Sequence, residues 1–301
     1  MRVFMTGGTG FVGRTLTKKL TEKGYEVTLL TRSIRRPESL PPGASFIEGD
    51  PTQKGAWQER VPEHEIIINL AGASIFDRWT KKHKKTIRDS RVLTTRNLVR
   101  ALSGRKGKET VLLSTSAVGF YGFCGDEELH ENSAPGSDFL ASVTREWEST
   151  ALEAERFGVR VILCRFGIVL GAGGGALAEL LPFFKKGLGS PLGSGRQWIS
   201  WIHEQDLVNI YLFLIERKGE TGPINCTAPN PVTNKELTKA LGEALEKPTF
   251  MPAVPGFLIK LKMGEVGSVL LNGQKVLPKR LLDMGFDFRF PGILEAVKDI
   301  L

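Results

Sequence analysis

The apolar positions change their spacing several times along the chain. Residues 2–5 form a short apolar run, and Val12, Leu16 and Leu20 then recur at helical spacing, which predicts a strand followed by a helix. Apolar residues at helical spacing in 92–102 and 139–154 predict two further helices. Further apolar runs predict strands at residues 25–31, 45–48, 65–70, 110–114, 159–166 and 222–227. Strands that alternate with helices predict an α/β fold with a parallel sheet.

The composition of the chain changes at Gly167. Glycine-rich stretches at 171–175 and 187–195 bracket a short apolar helix, and two interpretations stay open for them, lids over a site or simple connectors. The segment that begins near Pro248 is rich in Leu, Met and Phe. It is expected to pack on the first domain and to cover the carboxyl ends of its strands, because those side chains would otherwise be exposed.

These patterns predict two domains. The first is a Rossmann-type doubly wound parallel sheet in residues 1–170, to which residues 198–230 return. The second is a small, mostly helical C-terminal domain on the substrate side, formed by residues 171–197 and 231–301.

The turn between the first strand and the first helix is rich in glycine. Gly7 suits the sharp turn, Gly10 the close approach of backbone to a pyrophosphate, and Gly13 tight packing of helix on strand. The start of the helix then presents free N–H groups and its positive dipole end to the phosphates. The sequence therefore predicts a dinucleotide site, with the candidate residues Thr6, Gly7, Gly8, Thr9, Gly10, Phe11, Val12 and Gly13.

The end of the second strand bears on the choice of dinucleotide. Sites selective for NAD usually hold the ribose 2′-hydroxyl with an acidic residue there, whereas this chain has Thr31 and Arg32. The planar donor fork of an arginine suits a 2′-phosphate, so NADP is predicted over NAD; the alternative is a solvated arginine. Asp50, which follows the third strand, either accepts a hydrogen bond from the adenine amine or caps the next short helix.

Charge and composition narrow the class of protein. The net charge of +8 is compatible with anionic small molecules and with weak nucleic-acid binding. The basic run at 81–85 is interpreted as a solvated face, and nucleic-acid binding ranks last because the run lacks interleaved aromatic residues. Three scattered cysteines indicate a reducing compartment without disulfides. The four histidines show no metal-ligand spacing, and no run of 18 apolar residues exists, so we expect a cytoplasmic protein without a metal.

Small and hydroxyl-bearing residues follow two of the predicted strands. Leu70, Ala71 and Gly72 come after the strand at 65–70, and small residues there let backbone come close to a ligand. Ser114 and Ser116 lie at the carboxyl end of the next strand, the edge at which open α/β sheets bind ligands. Both groups are therefore candidates for the dinucleotide or substrate site.

Several motifs together resemble the extended short-chain dehydrogenases/reductases: TGGTGFVG, NLAG, STSAVGFYG and WISWIHEQD. SRVLTTRNL, RFGIVLGAGGGAL, GLGSPLGSGRQ and the tail GQKVLPKRLLDMGFDFRFP resemble an atypical subgroup, the "epimerase family protein" subgroup (family 39U), with its C-terminal domain of unknown function. The resemblance covers essentially the whole chain. It implies that NADP is held by the Thr6–Gly13 turn, Arg32, Leu70, Ala71, Arg91 and the backbone near Val169.

The chain departs from that family at the catalytic pair. Extended enzymes use Tyr-x-x-x-Lys on the helix after the serine motif to pass a proton while hydride moves. The positions expected to correspond here are Leu140 and Thr144, and neither side chain can do acid–base work. If the protein is an enzyme, its proton donor is therefore expected to lie outside the helix at 139–155.

Two classes of function remain open. The first is an NADP-dependent oxidoreductase or epimerase for an unidentified small carbonyl or sugar-like substrate. Its proton relay would come from elsewhere, from an ordered water, from Ser114, or from the catalytic candidates Ser116, Tyr121 and His203. The second is a non-catalytic NADP(H)-binding sensor or scaffold.

Overall fold

The fold is built on a twisted sheet, and a computed structural model describes residues 1–34, 43–105, 107 and 109–301. The sequence of residues 35–43, rich in proline and without an apolar period, predicts a loop, and residues 35–42 of it lie outside the described part. Within it, seven parallel strands form the central sheet in the order β11-β7-β5-β4-β1-β2-β3. The strands are β1 (Arg2–Thr6), β2 (Glu26–Thr31), β3 (Ser45–Glu48), β4 (Ile66–Asn69), β5 (Val111–Ala117), β6 (Glu128–Leu129), β7 (Arg160–Phe166), β8 (Ile168–Leu170), β9 (Trp198–Ile199), β10 (Trp201–His203), β11 (Gly222–Cys226), β12 (Val232–Thr233) and β13 (Lys275–Val276).

Helices cover both faces of the sheet. They are α1 (Phe11–Glu22), α2 (Lys81–Leu102), α3 (Phe139–Leu152), α4 (Gly175–Lys185), α5 (Glu204–Glu216), α6 (Asn234–Ala244), α7 (Gly256–Met263), α8 (Gly267–Leu271), α9 (Lys279–Asp283) and α10 (Ile293–Ile300). The order of the strands reverses between β1 and β4, since β2 and β3 extend one way and β4, β5 and β7 the other. This is the doubly wound arrangement predicted from the sequence, and ligands bind such sheets at the point of reversal.

The alternation of side chains along β1 divides the core in two. Val3 and Met5 point to the face that α1 and α5 cover, where they pack with Leu16 of α1 and Leu207 of α5. Phe4 points to the other face, packed with residues of α2 and α3. Buried apolar residues on both faces are typical of a parallel sheet, and they explain why β4 consists of three isoleucines and an asparagine, all buried.

After β7, one further strand, β11, joins the central sheet, and the other strands that follow β7 lie outside that sheet. β11 pairs with β7 in parallel at the edge of the central sheet. The short strands form three pairs, β8 with β10, β9 with β12, and β6 with β13. The last of these pairs attaches the C-terminal region to the segment that follows β5.

The C-terminal region packs in the predicted way only in part. Val276, Leu281 and Val297 are fully buried, so the segment from β13 to α10 belongs to the core. The expectation that the apolar residues of α7 are buried is wrong, because Phe257 is 69% and Leu261 79% exposed. The reason is that α7 has eight residues, with its apolar side chains spread around the helix and two lysines among them, and of these residues Ile259 is buried.

Because Leu281 is buried and Leu261 is exposed, the same substitution at the two positions should change the free energy of unfolding by different amounts. Leu281→Ala removes a fully buried side chain and should lower the free energy of unfolding by about 2–5 kcal/mol. Leu261→Ala removes an exposed side chain and should change it by less than about 0.5 kcal/mol. Urea unfolding of both variants measures the difference, and equal losses would show that α7 is as well packed as α9.

Candidate functional site

The turn between β1 and α1 is shaped by close backbone contacts. Gly7 has a φ of +72°, and a β-carbon added to it would lie 2.7 Å from the carbonyl carbon of Leu70. A β-carbon on Gly13 would lie 2.2 Å from the carbonyl oxygen of Gly7. These two glycines are therefore needed by the fold itself. Gly10 differs, because its nearest neighbour, the Gly7 oxygen, would be 3.2 Å away, and a side chain there would extend toward the open side of the turn.

The start of α1 offers uncompensated donors. Gly10 is the N-cap and provides no side-chain hydrogen bond, and the first turn contains no acidic residue. The first N–H groups of a helix have no partner within the helix, and the dipole adds a partial positive charge at this end. The turn is therefore suited to bind the phosphates of a nucleotide.

Phe11 connects this turn to the glycine-rich stretch at 171–175. β-carbons added to Gly171, Gly174 and Gly175 would lie 2.9, 2.4 and 3.1 Å from atoms of the Phe11 ring. The β-carbon on Gly175 would also lie 2.8 Å from the carbonyl oxygen of Val169, the backbone position singled out by the resemblance. The stretch therefore lies directly on the predicted dinucleotide turn, and its glycines make that contact possible.

A carboxylate lies beside the same contact. Thr15 donates a hydrogen bond of 2.6 Å from Oγ1 to Oε1 of Glu204, which links α1 to α5. The other carboxylate oxygen would lie 2.4 Å from a β-carbon on Gly171. Burial raises the pKa of Glu204, and the hydrogen bond from Thr15 opposes that shift. The segment after β8 is thus fixed both by ring packing and by a half-buried acid.

At the ends of β2 and β3, the candidates Arg32 and Asp50 are exposed, whereas Thr31 is buried. Thr31 donates from Oγ1 to the carbonyl oxygen of Ser33 at 3.1 Å. Arg32 is exposed and forms no ion pair with any residue of the described ranges. Asp50 is exposed and accepts hydrogen bonds from the N–H and hydroxyl of Thr52 at 2.9 and 2.7 Å. It does not cap the short 3₁₀ helix at 56–63, whose N-cap is Gly55, so that alternative for Asp50 is wrong.

Arg91 lies on α2 beside the end of β4. Its Nη1 and Nη2 donate to the carbonyl oxygens of Ile87 and Ala73, each at 3.0 Å, and its Cζ lies 5.4 Å from the centre of the Trp147 ring. In the part of the chain that the structure describes, no carboxylate pairs with it. Burial lowers the pKa of Arg91 to about 10, which still leaves it charged at neutral pH. A β-carbon on Gly72 would lie 3.3 Å from the guanidinium, so the charge faces the small residues after β4.

Buried polar side chains join the ends of β1, β4 and β5 beneath this position. Thr6 donates from Oγ1 to Oδ1 of Asn69 at 2.7 Å. Asn69 donates from Nδ2 to the hydroxyls of Thr95 at 2.8 Å and Ser114 at 3.5 Å. Thr95 also accepts a hydrogen bond from Nε1 of Trp147 at 2.8 Å. The side chains of Thr6 and Ser114 therefore hold the strand ends together, and their backbone is what lies nearest the turn.

Ser116 and Tyr121 belong to a second, charged network. Ser116 donates from Oγ to Oε1 of Glu148 at 2.5 Å, and Arg165 binds both oxygens of Glu148, from Nε and Nη2, at 2.8 Å each. Nη1 of Arg165 donates to the hydroxyl of Tyr121 at 2.9 Å. The guanidinium carbon of Arg165 lies 3.5 Å from the centre of the Phe120 ring. The structure therefore brings two of the three catalytic candidates together through one buried ion pair.

Tyr121 is held at both sides of its hydroxyl. It donates to Oδ1 of Asn225 at 2.7 Å while it accepts from Arg165. Burial raises the pKa of Tyr121 to about 12, although Arg165 and the hydrogen bonds oppose the shift. Glu131 closes the network, since its Oε1 accepts from the N–H of Asn225 at 3.1 Å. Tyr121 and Ser116 are each 1% exposed, so both hydroxyls serve internal partners in this state.

Glu148 and Arg165 were not identified from the sequence. The available signal was Arg165 itself, a charge inside the apolar run at 159–166, because an arginine in a strand buried on both faces needs a buried acidic partner. The pattern does not say which acid that is. Glu148 lies on the same helix as Leu140 and Thr144, where Thr144 donates from Oγ1 to the carbonyl oxygen of Leu140 at 2.5 Å.

His203 occupies a separate place at the start of α5. Its Nδ1 accepts the N–H of Gln205 at 3.1 Å and so caps the helix, while its ring lies 3.9 Å from the ring of Phe290, measured between centres. Nε2 faces Oδ2 of Asp299 at 3.4 Å. Burial lowers the pKa of His203 to about 4 despite the opposing effect of Asp299. His203 is therefore neutral at pH 7 and engaged in capping.

Because of the buried ion pair, substitution of Glu148 should lower the free energy of unfolding much more than substitution of Glu146 on the same helix. Glu148→Gln leaves Arg165 buried without a counter-charge and should lower the free energy of unfolding by about 3–5 kcal/mol. Glu146→Gln changes an acid of the same helix that pairs with Arg88 at the surface, and should cost about 0–1 kcal/mol. Chemical unfolding of both variants tests this, and similar losses would contradict it.

In residues 1–34, 43–105, 107 and 109–301, no group of three or more His, Cys, Asp or Glu side chains is arranged to hold a metal ion. In the same ranges, no helix has the length and apolar character needed to cross a bilayer.

Comparison with known proteins gives matches along the whole chain. Residues 3–226 match the NAD dependent epimerase/dehydratase family, and residues 254–300 match the Domain of unknown function (DUF1731). The "Epimerase family protein SDR39U1 homolog, chloroplastic" of Arabidopsis thaliana is 42% identical over 303 residues, covering 100% of this chain and 87% of its own. The Epimerase family protein YfhF of Bacillus subtilis (strain 168) is 36% identical, covering 100% of this chain and 98% of its own.

Solved structures agree with the fold. The crystal structure of human epimerase family protein SDR39U1 (isoform2) with NADPH has a TM-score of 0.87 at 33% identity, covering 100% of this chain and 99% of its own. A UDP-glucose 4-epimerase from Thermotoga maritima, crystallised with UDP-glucose, has a TM-score of 0.79 at 20% identity, covering 100% of this chain and 97% of its own. The second likeness concerns the fold alone.

Proposed function

The chain belongs to the NAD dependent epimerase/dehydratase family, as the motifs indicated, and we propose that it binds NADP(H) and acts as an oxidoreductase or epimerase. Its substrate in this proposal is a small carbonyl or sugar-like compound. The 33% identical human protein was crystallised with NADPH, which supports the choice of cofactor. When bound, NADP(H) supplies or accepts a hydride.

The observation that carries the proposal is the unpaired charge of Arg91. A partly buried guanidinium without a carboxylate is costly unless an anion binds beside it. Arg91 stands against Gly72 at the end of β4, where the strand order reverses, and the glycine-rich turn lies at the neighbouring strand. A diphosphate or ribose at this edge would satisfy both the guanidinium and the first N–H groups of α1.

Arg32 supports NADP over NAD. It extends from the end of β2 into solvent without a carboxylate among the described residues, and its fork of donors matches the geometry of a phosphate. The remaining residues proposed to surround the cofactor offer backbone, small side chains or an exposed acid. They are Thr6, Gly7, Gly8, Thr9, Gly10, Phe11, Val12, Gly13, Thr31, Asp50, Leu70, Ala71, Gly72, Ser114 and Val169.

Ser116 is the proposed proton-handling residue. Its hydroxyl proton lies on the short hydrogen bond to Glu148, and the bidentate contact with Arg165 keeps that carboxylate in position. A substrate hydroxyl in contact with Oγ would deliver its proton to Ser116 as Ser116 passes its own to Glu148. Access to Oγ requires that the covering residues move, because Ser116 is buried in this state.

A second candidate function is a non-catalytic NADP(H)-binding sensor or scaffold. The observation that favours it is the state of Tyr121, whose hydroxyl is fully engaged and whose pKa burial raises to about 12. A group with that pKa is a poor acid–base catalyst near neutral pH. In this alternative the charged network stabilises the fold and the bound cofactor orders the protein without reacting.

NADPH should bind more tightly than NADH. A charge-assisted hydrogen bond from Arg32 contributes about 1.5–3 kcal/mol, so Arg32→Ala should remove most of the difference between the two cofactors. Fluorescence titration of both cofactors measures it, with Arg100→Ala as the control because Arg100 is exposed at the far end of α2. Equal affinities in the wild type would refute the preference.

Gly10→Val tests in the same titration whether the glycine turn binds the pyrophosphate. Its side chain should block the backbone approach to the pyrophosphate. The β-carbon would lie 3.2 Å from the Gly7 oxygen, a tight contact that a small shift of the turn relieves, so both cofactors should lose affinity in a variant that still folds. Retained binding of NADPH would place the cofactor elsewhere.

A screen of carbonyl and sugar-like substrates for NADPH oxidation tests the reaction. If the relay uses Ser116, Ser116→Ala should lower kcat about 10²–10⁴-fold, and Tyr121→Phe should have a smaller effect because its hydroxyl serves internal partners. His203→Ala should act on the stability of α5 more than on kcat. Full activity in all three variants would refute the relay, and a broad screen without any turnover would favour the sensor or scaffold.

A further inference from the structure

We propose that Lys84 binds an anionic group of the substrate, a phosphate or a carboxylate, and that Glu265 occupies this position when substrate is absent. The inference rests on the proposed function, since it describes a part of the same substrate site. It gives a role to the basic run at 81–85, which the dinucleotide site does not use.

The ammonium group of Lys84 lies near two aromatic rings. Its Nζ lies 4.9 Å from the centre of the Phe139 ring and 5.7 Å from that of Trp79. The two rings meet edge to face, with their centres 5.1 Å apart, and the indole Nε1 of Trp79 donates to the carbonyl oxygen of Ile75 at 2.8 Å. Cation–π contacts of this kind fix the direction of a long side chain. The ammonium is therefore positioned, unlike that of a freely solvated lysine.

The partner of Lys84 comes from the C-terminal region. Oε1 of Glu265 accepts a hydrogen bond from Nζ at 2.7 Å, and Glu265 is exposed in the 3₁₀ turn at 264–266. Arg78 stands next to the same turn, since its Nε would lie 3.7 Å from a β-carbon on Gly264. Glu265 is thus paired with Lys84, and a second cation, Arg78, lies near the same turn, so an external anion at this place would meet two positive charges.

The contact lies beside the position of the missing catalytic pair. Phe139 directly precedes Leu140, the residue expected where the family has its tyrosine, and Leu140 packs at 3.6 Å against a β-carbon added to Gly119. Gly119 follows Ser116 by three residues at the carboxyl end of β5. Through Phe139 and Leu140, the Lys84–Glu265 pair is therefore linked to the segment that follows Ser116, where a substrate of the proposed reaction would bind.

The start of α2 has an unusual distribution of charge. Residues 81–85 are KKHKK, at the helix end where the dipole disfavours cations, and the first turn contains no acidic residue. Lys85 is neutralised within the helix by Asp89, whereas Lys84 depends on a carboxylate 181 residues away. Displacement of that exposed carboxylate by a bound anion leaves the charge of Lys84 paired.

The test measures how two simple anions stabilise the NADPH-saturated full-length protein. Thermal unfolding is followed at increasing inorganic phosphate or sodium acetate, at constant ionic strength, and apparent dissociation constants follow from the rise in Tm. Glu265→Gln removes the internal competitor and should tighten anion binding at least about threefold. Lys84→Met should weaken it about tenfold, the loss expected for one charge-assisted contact.

Two further variants separate a specific site from general electrostatics. Lys85→Met removes the same charge from the neighbouring position and should match the wild type, and Lys84→Arg should retain binding. A response to phosphate alone identifies a phosphorylated substrate, and a response to acetate alone identifies a carboxylate. Equal behaviour of Lys84→Met and Lys85→Met, or no anion binding in Glu265→Gln, would overturn the proposal.

The same titrations keep this proposal separate from the proposed function. NADPH affinity is measured by fluorescence in every variant and should not change, because Lys84 and Glu265 lie outside the proposed cofactor contacts. A wild type that fails to bind NADPH would refute the proposed function. The anion titration can then be run without cofactor, and the comparison of Lys84→Met with Lys85→Met still decides whether the anion site exists.

Discussion

The bidentate ion pair between Arg165 and Glu148 joins more of the molecule than any single apolar contact. It connects β7 to α3, and through Ser116 and Tyr121 it reaches the end of β5 and the turn that follows. Asn225 and Glu131 extend it to β11 and to the backbone N–H of Arg280 in α9. Because a charge in this position cannot be left unpaired, each of these elements is held in one relative position.

This network also gives the serine motif a hydrogen-bond partner that differs from the family pattern. In the extended family pattern the serine stands beside a tyrosine and a lysine that share a proton with the substrate. Here Leu140 and Thr144 occupy the expected positions, and Thr144 bonds to the backbone of its own helix. The serine hydroxyl is instead directed to a carboxylate whose charge is balanced from the neighbouring strand. The partner of the serine hydroxyl is therefore a carboxylate on the buried side of α3.

The sequence was sufficient to predict the features that depend on local geometry. The glycine turn was predictable because Gly7 and Gly13 are required within one strand–turn–helix unit, and the alternation of strands and helices along the chain predicted the doubly wound parallel sheet. The ion pair was not, since Arg165 and Glu148 lie on different elements and their encounter is decided by packing. The exposure of Phe257 and Leu261 was missed for the same reason, because apolar composition does not show which side of a short helix meets the core. The helix cap formed by His203 was also missed, because the sequence does not show that its Nδ1 faces the N–H of Gln205.

The contact between Phe11 and the glycine-rich stretch at 171–175 constrains the order in which this protein can change during evolution. A methyl group at 174 would overlap the ring at 2.4 Å, so alanine is accessible there only after Phe11 has become smaller. A smaller residue at 11, however, uncovers the start of α1 while the stretch still lacks side chains to fill the gap. Each first step is expected to be unfavourable without the second, so substitutions in the two segments should be epistatic.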